Sequence, residues 1–133
     1  MPPIKLMRLA VVALASMAFS AGAALAFDEK PFSQATFEAA QGSGKPVLVD
    51  VYAPWCPVCK AQQAVLGGLK QDAKYADLTV LKVDFDNQPD VLKSLNVRQQ
   101  STLIAFKGKT ETGRSAGDTN QASIEALIAT AMQ

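Results

Sequence analysis

The chain has no histidine in 133 residues, so it lacks the usual general base, the commonest metal ligand and any Ser-His or Cys-His nucleophile pair. Cysteine is nearly as scarce, with two residues, Cys56 and Cys59. A zinc or iron site on that pair would need two more ligands, which only carboxylates or a second copy of the chain could supply. The uncharged run from Leu9 to Phe19 falls short of the ~20 residues a membrane-spanning helix needs. An excess of one charge is also missing, with 13 Lys plus Arg against 12 Asp plus Glu. No basic stripe suits nucleic acid, and no polybasic patch suits a membrane surface. What remains open is sulfur chemistry or carboxylate chemistry.

What is present begins with a segment unlike the rest. Lys5 and Arg8 precede the apolar stretch, and Ala24-Leu25-Ala26 offers small residues for cleavage, the pattern of a secretory signal over residues 1–26. Removing 26 of the 133 residues leaves 107, one modest domain over residues 27–133, and lowers Lys plus Arg from 13 to 11 because Lys5 and Arg8 go. An uncleaved anchor is the alternative. Either way the expected location is outside the cytoplasm, periplasmic in type, where cysteines can be oxidised.

Punctuation and periodicity after residue 27 give an alternation of elements. A short helix is expected over Phe32 to Gln41, capped by Ser33, with Phe37 and Ala40 inward. The β-branched run Pro46 to Tyr52 reads as a strand buried on both faces, hence central. Pro57 to about Lys74 has helical composition, with Gly67-Gly68 expected to bend or end it. Leu78 to Phe85 is a second buried strand, joined to the first by a right-handed parallel crossover, and Pro89 starts a helix ending near Leu95. Gly108-Lys109 between Thr102–Lys107 and Thr110–Ser115 signals an antiparallel hairpin. Asp118 or Thr119 caps a last helix through Met132, with Ile124, Leu127, Ile128 and Ala131 at core spacing. An α/β fold, a mixed central sheet with helices on both faces, accommodates this order.

The run Trp55-Cys56-Pro57-Val58-Cys59 joins the end of the first strand to the next helix, where open α/β sheets build their sites. With Pro57 at the first helical position, Cys56 becomes the cap residue, and its sulfur can accept from the N–H groups of Val58 and Cys59. Those donors and the positive helix end favour thiolate over thiol, making Cys56 the expected nucleophile, provided solvent reaches it. Cys59, one turn on, can close a disulfide with Cys56 and release a substrate held as a mixed disulfide. The plainer alternative is a stabilising disulfide, though so short a loop removes little unfolded-state entropy.

Four segments make the chain resemble the thioredoxin family over essentially all of residues 27–133. They are Lys45 to Asp50, Ala53-Pro54-Trp55-Cys56-Pro57-Val58-Cys59-Lys60, Lys82-Val83-Asp84-Phe85-Asp86 and Thr102 to Gly108. The resemblance implies the thioredoxin fold and a dithiol-disulfide couple at Cys56 and Cys59. It implies a role for Asp50 as the buried acid that helps take the proton from the resolving thiol, a carboxyl whose pKa burial would raise. Lys82 falls where the family keeps a lysine near that acid, and Trp55 where it keeps a shielding tryptophan. An exposed strand lysine and plain packing account for the same two residues.

Departures from the family pattern carry information too. Ser101 stands where the family usually has a cis-proline, and a cis bond to serine would cost roughly 2.5–4 kcal/mol, so a trans, differently shaped loop is expected. Its hydroxyl could meet the cysteine sulfurs or substrate, or simply face solvent. Pro57-Val58 between the cysteines brings no charge, which favours reduction or electron relay over strong oxidation. The segment Asp50 to Lys60 also looks like the exported domains of transmembrane electron relays and like the reductases that prepare apocytochrome c. The expectation is therefore a monomeric exported protein-disulfide reductase with no bound cofactor and no metal. It would keep thiols in redox balance, acting on protein disulfides, recharged by a membrane electron donor, and binding no nucleic acid. The competing readings are a disulfide oxidase or isomerase, and a non-catalytic, metal-bridged or partner-binding module.

Overall fold

The structure, a computed structural model, describes residues 26–133; the signal read over residues 1–26 lies outside them but for Ala26. In chain order the elements are β1 (Asp28–Pro31), α1 (Gln34–Gly42), β2 (Pro46–Tyr52), α2 (Pro57–Leu69), β3 (Thr79–Asp84), α3 (Pro89–Ser94), β4 (Thr102–Lys107), β5 (Thr110–Ala116) and α4 (Gln121–Ala131). They build one five-stranded sheet in the order β1-β3-β2-β4-β5. β2 pairs parallel with β3 and antiparallel with β4, so the β-branched run occupies the centre, as its near-continuous apolar character, interrupted by Asp50, leads one to expect.

Side chains of β2 alternate between two cores. Val47, Val49 and Val51 join Phe37 and Ala40 of α1, with Val91 and Leu92 of α3 packed alongside. Leu48 faces the other way, against Leu66 and Leu69 of α2 and Ile124, Ile128 and Ala131 of α4. Each fully buried Val or Leu removes roughly 1.5–3 kcal/mol worth of apolar surface from water, so both faces are strongly specified. Helices thus cover both sides of a mixed sheet, the architecture expected from the sequence.

Local chemistry sets the ends of the helices. Ser33 Oγ accepts the Thr36 N–H at 3.1 Å while Thr36 Oγ1 accepts the Ser33 N–H at 2.9 Å, a reciprocal cap that starts α1. Three expectations are corrected. α2 includes Gly67-Gly68 but ends directly after them at Leu69 instead of reaching Lys74, and a separate 3-10 turn follows over Ala73–Tyr75. The cap of α4 is Asn120, whose side chain accepts from Ser123 N–H at 3.0 Å, rather than Asp118 or Thr119. β1 was not anticipated; it lies along β3 in parallel register with all four residues exposed. A Cβ added at Gly113 on β5 would sit 2.9 Å from Leu127 Cδ1 on α4, so that any side chain there would push the leucine end aside.

Candidate active site

The site forms where β2 ends and α2 begins. Pro57 occupies the first turn of α2, where its missing N–H costs nothing, and Cys56 is the cap residue with extended backbone. Cys56 Sγ accepts the Cys59 N–H at 3.1 Å. The second donor expected from Val58 does not reach the sulfur, so one cap bond forms instead of two. Both cysteines are free thiols and both are covered, Cys56 2% and Cys59 0% exposed. The expectation of an openly accessible Cys56 is therefore not met. Its neighbours Trp55, Pro57 and Val58 are all exposed, so Cys56 lies just beneath an open surface.

Cys59 is deeper. Its sulfur lies 4.0 Å from the carbonyl of Val51, and the thiol is pushed up to about 11, first by burial and then by its hydrogen bond with Cys56. Backbone groups of Ala53 and Ser101 pull the other way.

One residue before Val51 on β2 is Asp50, 0% exposed, pointing to the α2 side of the sheet. Burial raises its carboxyl to about 6, against the opposing effects of a hydrogen bond from Gln63 and the charge of Lys82. Gln63 Nε2 donates to Asp50 Oδ2 at 2.6 Å, while Oδ1 has no protein partner. Lys82, opposite Asp50 on β3, places its ammonium 3.0 Å from Gln63 Oε1, 3.7 Å from Glu29 Oε1 and 4.3 Å above the Tyr52 ring. The lysine and the acid are neighbours, as expected, but Gln63 stands between them.

Trp55 is 56% exposed, its indole N–H shared between the Asp86 carboxylate oxygens at 2.9 and 3.1 Å and its edge against Phe85. Val58 presents an apolar side chain to solvent beside it.

Ser101 is buried and trans, with φ at +60, in the left-handed region that side chains seldom adopt. Its N–H donates to Val51 O at 2.8 Å, and its carbonyl accepts from Gln62 Nε2 at 3.0 Å and Gly117 N–H at 3.0 Å. Its hydroxyl turns to the Gln100 carbonyl instead of to a cysteine sulfur or solvent. Among the described residues no three of His, Cys, Asp and Glu cluster as a metal site, so a metal on this sulfur pair would need ligands from a second copy.

The thioredoxin family model matches residues 28–130. The chain belongs to the thioredoxin family. A thioredoxin of Chlamydia trachomatis is 38% identical over 96 residues, covering 72% of this chain and 91% of its own. One of Mycobacterium bovis is 38% identical over 82 residues, 62% of this chain and 70% of its own. The crystal structure of Trxlp from Edwardsiella tarda superposes with a TM-score of 0.73 at 46% identity, covering 76% of this chain and 98% of that one. The protein is a thioredoxin-like thiol-disulfide oxidoreductase carrying a cysteine pair.

Neither Gln62 nor Gln63 was singled out by sequence, where a helical glutamine reads as a surface residue. Gln62 is 0% exposed and ties Ser101 O to Asp118 O, at 3.0 and 2.9 Å. The available signal was position: both follow Cys59 by about one helical turn, on the face turned to the sheet.

Proposed function

We propose that the protein is an exported reductase of protein disulfides, working as a monomer and recharged by a membrane electron donor. The observation that carries the reading is the cap geometry of Cys56, whose sulfur receives the Cys59 N–H at the start of α2. A donor aimed at sulfur supports the negative charge it carries as attacking and leaving group.

Cys56 thiolate attacks one sulfur of a substrate disulfide, forming a mixed disulfide and releasing one substrate thiolate. Cys59 then gives its proton to Asp50, and the sulfur's electron pair attacks Cys56 Sγ. The Cys56–Cys59 bond forms, the second substrate thiolate leaves, and both substrate sulfurs take up protons as they end as thiols. Two electrons have moved from the pair to the substrate. In the dithiol Cys59 holds its proton partly because of Cys56. A Cys56 sulfur bound in a mixed disulfide carries no charge, so that restraint is lifted when the proton must leave. Asp50, raised only to about 6, is still largely ionised at neutral pH and can accept. Trp55 and the apolar Val58 form the surface around the reacting sulfur, and Lys82 favours the ionised acid.

Export rests on the charged, apolar and small-residue pattern of residues 1–26. The reducing direction rests on the uncharged Pro57-Val58 pair. The experiment is a Cys59→Ala variant placed in the exported compartment: it should accumulate mixed disulfides with natural partners through Cys56, and a variant that traps none rejects the order of attack. Equilibration with glutathione tests direction, with a potential near about −270 mV expected and one near about −120 mV marking an oxidant instead.

A further inference from the structure

Asp50 is the one carboxylate among the buried residues described, and its two oxygens are in different situations. Oδ2 accepts from Gln63 Nε2 at 2.6 Å, whereas Oδ1 has no protein partner. The far end of the same amide is also occupied, since Lys82 Nζ donates to Gln63 Oε1 at 3.0 Å. An ammonium can only donate, so it holds the amide oxygen toward itself and the NH2 toward Asp50. Turning the amide over would set NH2 against ammonium and oxygen against carboxylate. Gln63 therefore transmits an orientation from β3 to β2 without offering a proton of its own near neutral pH.

We infer that Gln63 is a positioning residue for the acid, clamping Oδ2 in its ionised form and leaving Oδ1 as the oxygen that receives the Cys59 proton. The inference rests on the reading of Asp50 as proton acceptor. Cys59 and Gln63 are four residues apart on α2, so they share the helix face over β2, and the Cys59 sulfur approaches the carbonyl of Val51, the residue next to Asp50. In the step concerned the Cys59 S–H bond breaks, the proton goes to Oδ1, and the sulfur pair attacks Cys56 Sγ. Gln63 gains and loses nothing.

The groups facing Asp50 come from four elements. α2 supplies Gln63; β3 supplies Lys82; β1 supplies Glu29; β4 supplies the apolar Leu103, paired with Asp50 in the sheet register. Lys82 favours the charged carboxylate and Glu29 opposes it, and the Gln63 bond outweighs either. Removing that bond leaves burial largely unopposed.

The test is a carboxyl titration of Asp50 by carbon NMR in the full chain, beside the pH profile of disulfide reduction, in wild type, Gln63→Leu and Gln63→Met. The Asp50 midpoint should move up by about one unit in both variants, and the reduction profile with it, giving about a fivefold loss near pH 6 that approaches tenfold below about pH 5 and closes toward about pH 8. Either folded variant with the wild-type midpoint overturns the inference. Lys82→Met keeps Gln63 but frees its amide to turn, and should produce a smaller upward shift; no shift would overturn the orienting role of the lysine. If Asp50→Asn leaves the rate and its pH profile intact, the proton-acceptor reading fails, and the carboxyl midpoint still decides separately whether Gln63 clamps the acid.

Discussion

Cys59 and Ser101 meet at a single atom, the carbonyl oxygen of Val51, which accepts the Ser101 N–H at 2.8 Å and lies 4.0 Å from the Cys59 sulfur. The loop that stands in place of the family's proline is thus locked onto the end of β2 beside the buried cysteine. A proline ring would not fit this loop, because it removes the N–H that Val51 uses and holds φ near −65° where Ser101 has +60. Ser101→Pro should cost about 3 kcal/mol in urea unfolding, whereas Ser101→Gly, which keeps the N–H and relaxes φ, should match wild type or gain up to about 1 kcal/mol. A proline variant as stable as wild type would show that the loop is not pinned this way.

The two thiols differ in depth. Cys59 is fully enclosed and pushed up to about 11, while Cys56 lies under the exposed Trp55, Pro57 and Val58. Iodoacetamide on the native dithiol should therefore modify Cys56 first, with Cys59 reacting only after unfolding or at strongly alkaline pH. Mass spectrometry of tryptic peptides reads the order. Equal labelling of both thiols at neutral pH would mean that the cover over Cys59 is not maintained in solution.

Much of this was legible from residue order, and the unread parts share a physical reason. β2, β3 and the Gly108-Lys109 hairpin declare themselves through side chains that must be buried or turned. β1 does not, since Asp28, Glu29, Lys30 and Pro31 are all exposed and join the sheet through backbone bonds, with only the Glu29–Lys82 ion pair added from a side chain. The α4 cap was ambiguous because Asp118, Thr119 and Asn120 are all residues that cap helices. Tertiary contacts decide: Asp118 O is taken by Gln62, and Asp118 Oδ1 accepts the Asn120 N–H at 2.9 Å. Gln63 is the clearest case at the site. Its meaning depends on a lysine from another element, 19 residues along the chain, and nothing in a helix's own pattern points there.

Gly67 shows the opposite situation, a residue that local rules mark as a breaker and the structure leaves in a helix. It lies inside α2, and a Cβ added there would meet no atom within 4 Å. No close approach requires glycine at that position. Gly67→Ala should raise unfolding stability by about 0.5–1 kcal/mol through lower unfolded-state entropy and better helix propensity, with reduction of disulfides unchanged. A destabilised alanine variant would mean that α2 needs flexibility at that turn.

Asp50 ties function to stability through one carboxyl. Its folded-state value of about 6 exceeds the ordinary 3.8, so the native protein binds this proton more tightly than the unfolded chain does. The stabilisation is fully present below the ordinary value, declines as pH rises between the two, and is lost above about 6. At neutral pH the enclosed charge is thus a standing cost, worth on the order of 3 kcal/mol from the size of the shift. Asp50→Asn retains an oxygen for the Gln63 NH2 and never ionises. It should be more stable than wild type near neutral pH by up to about that amount, with no advantage in acid, and it should slow release of mixed disulfides. Urea unfolding across about pH 4 to 8 separates the possibilities. A wild-type curve that does not fall over that interval, with no gain for the asparagine variant, would mean that Asp50 does not carry its charge in a dry setting, and the case for it as the proton acceptor would lose its physical basis.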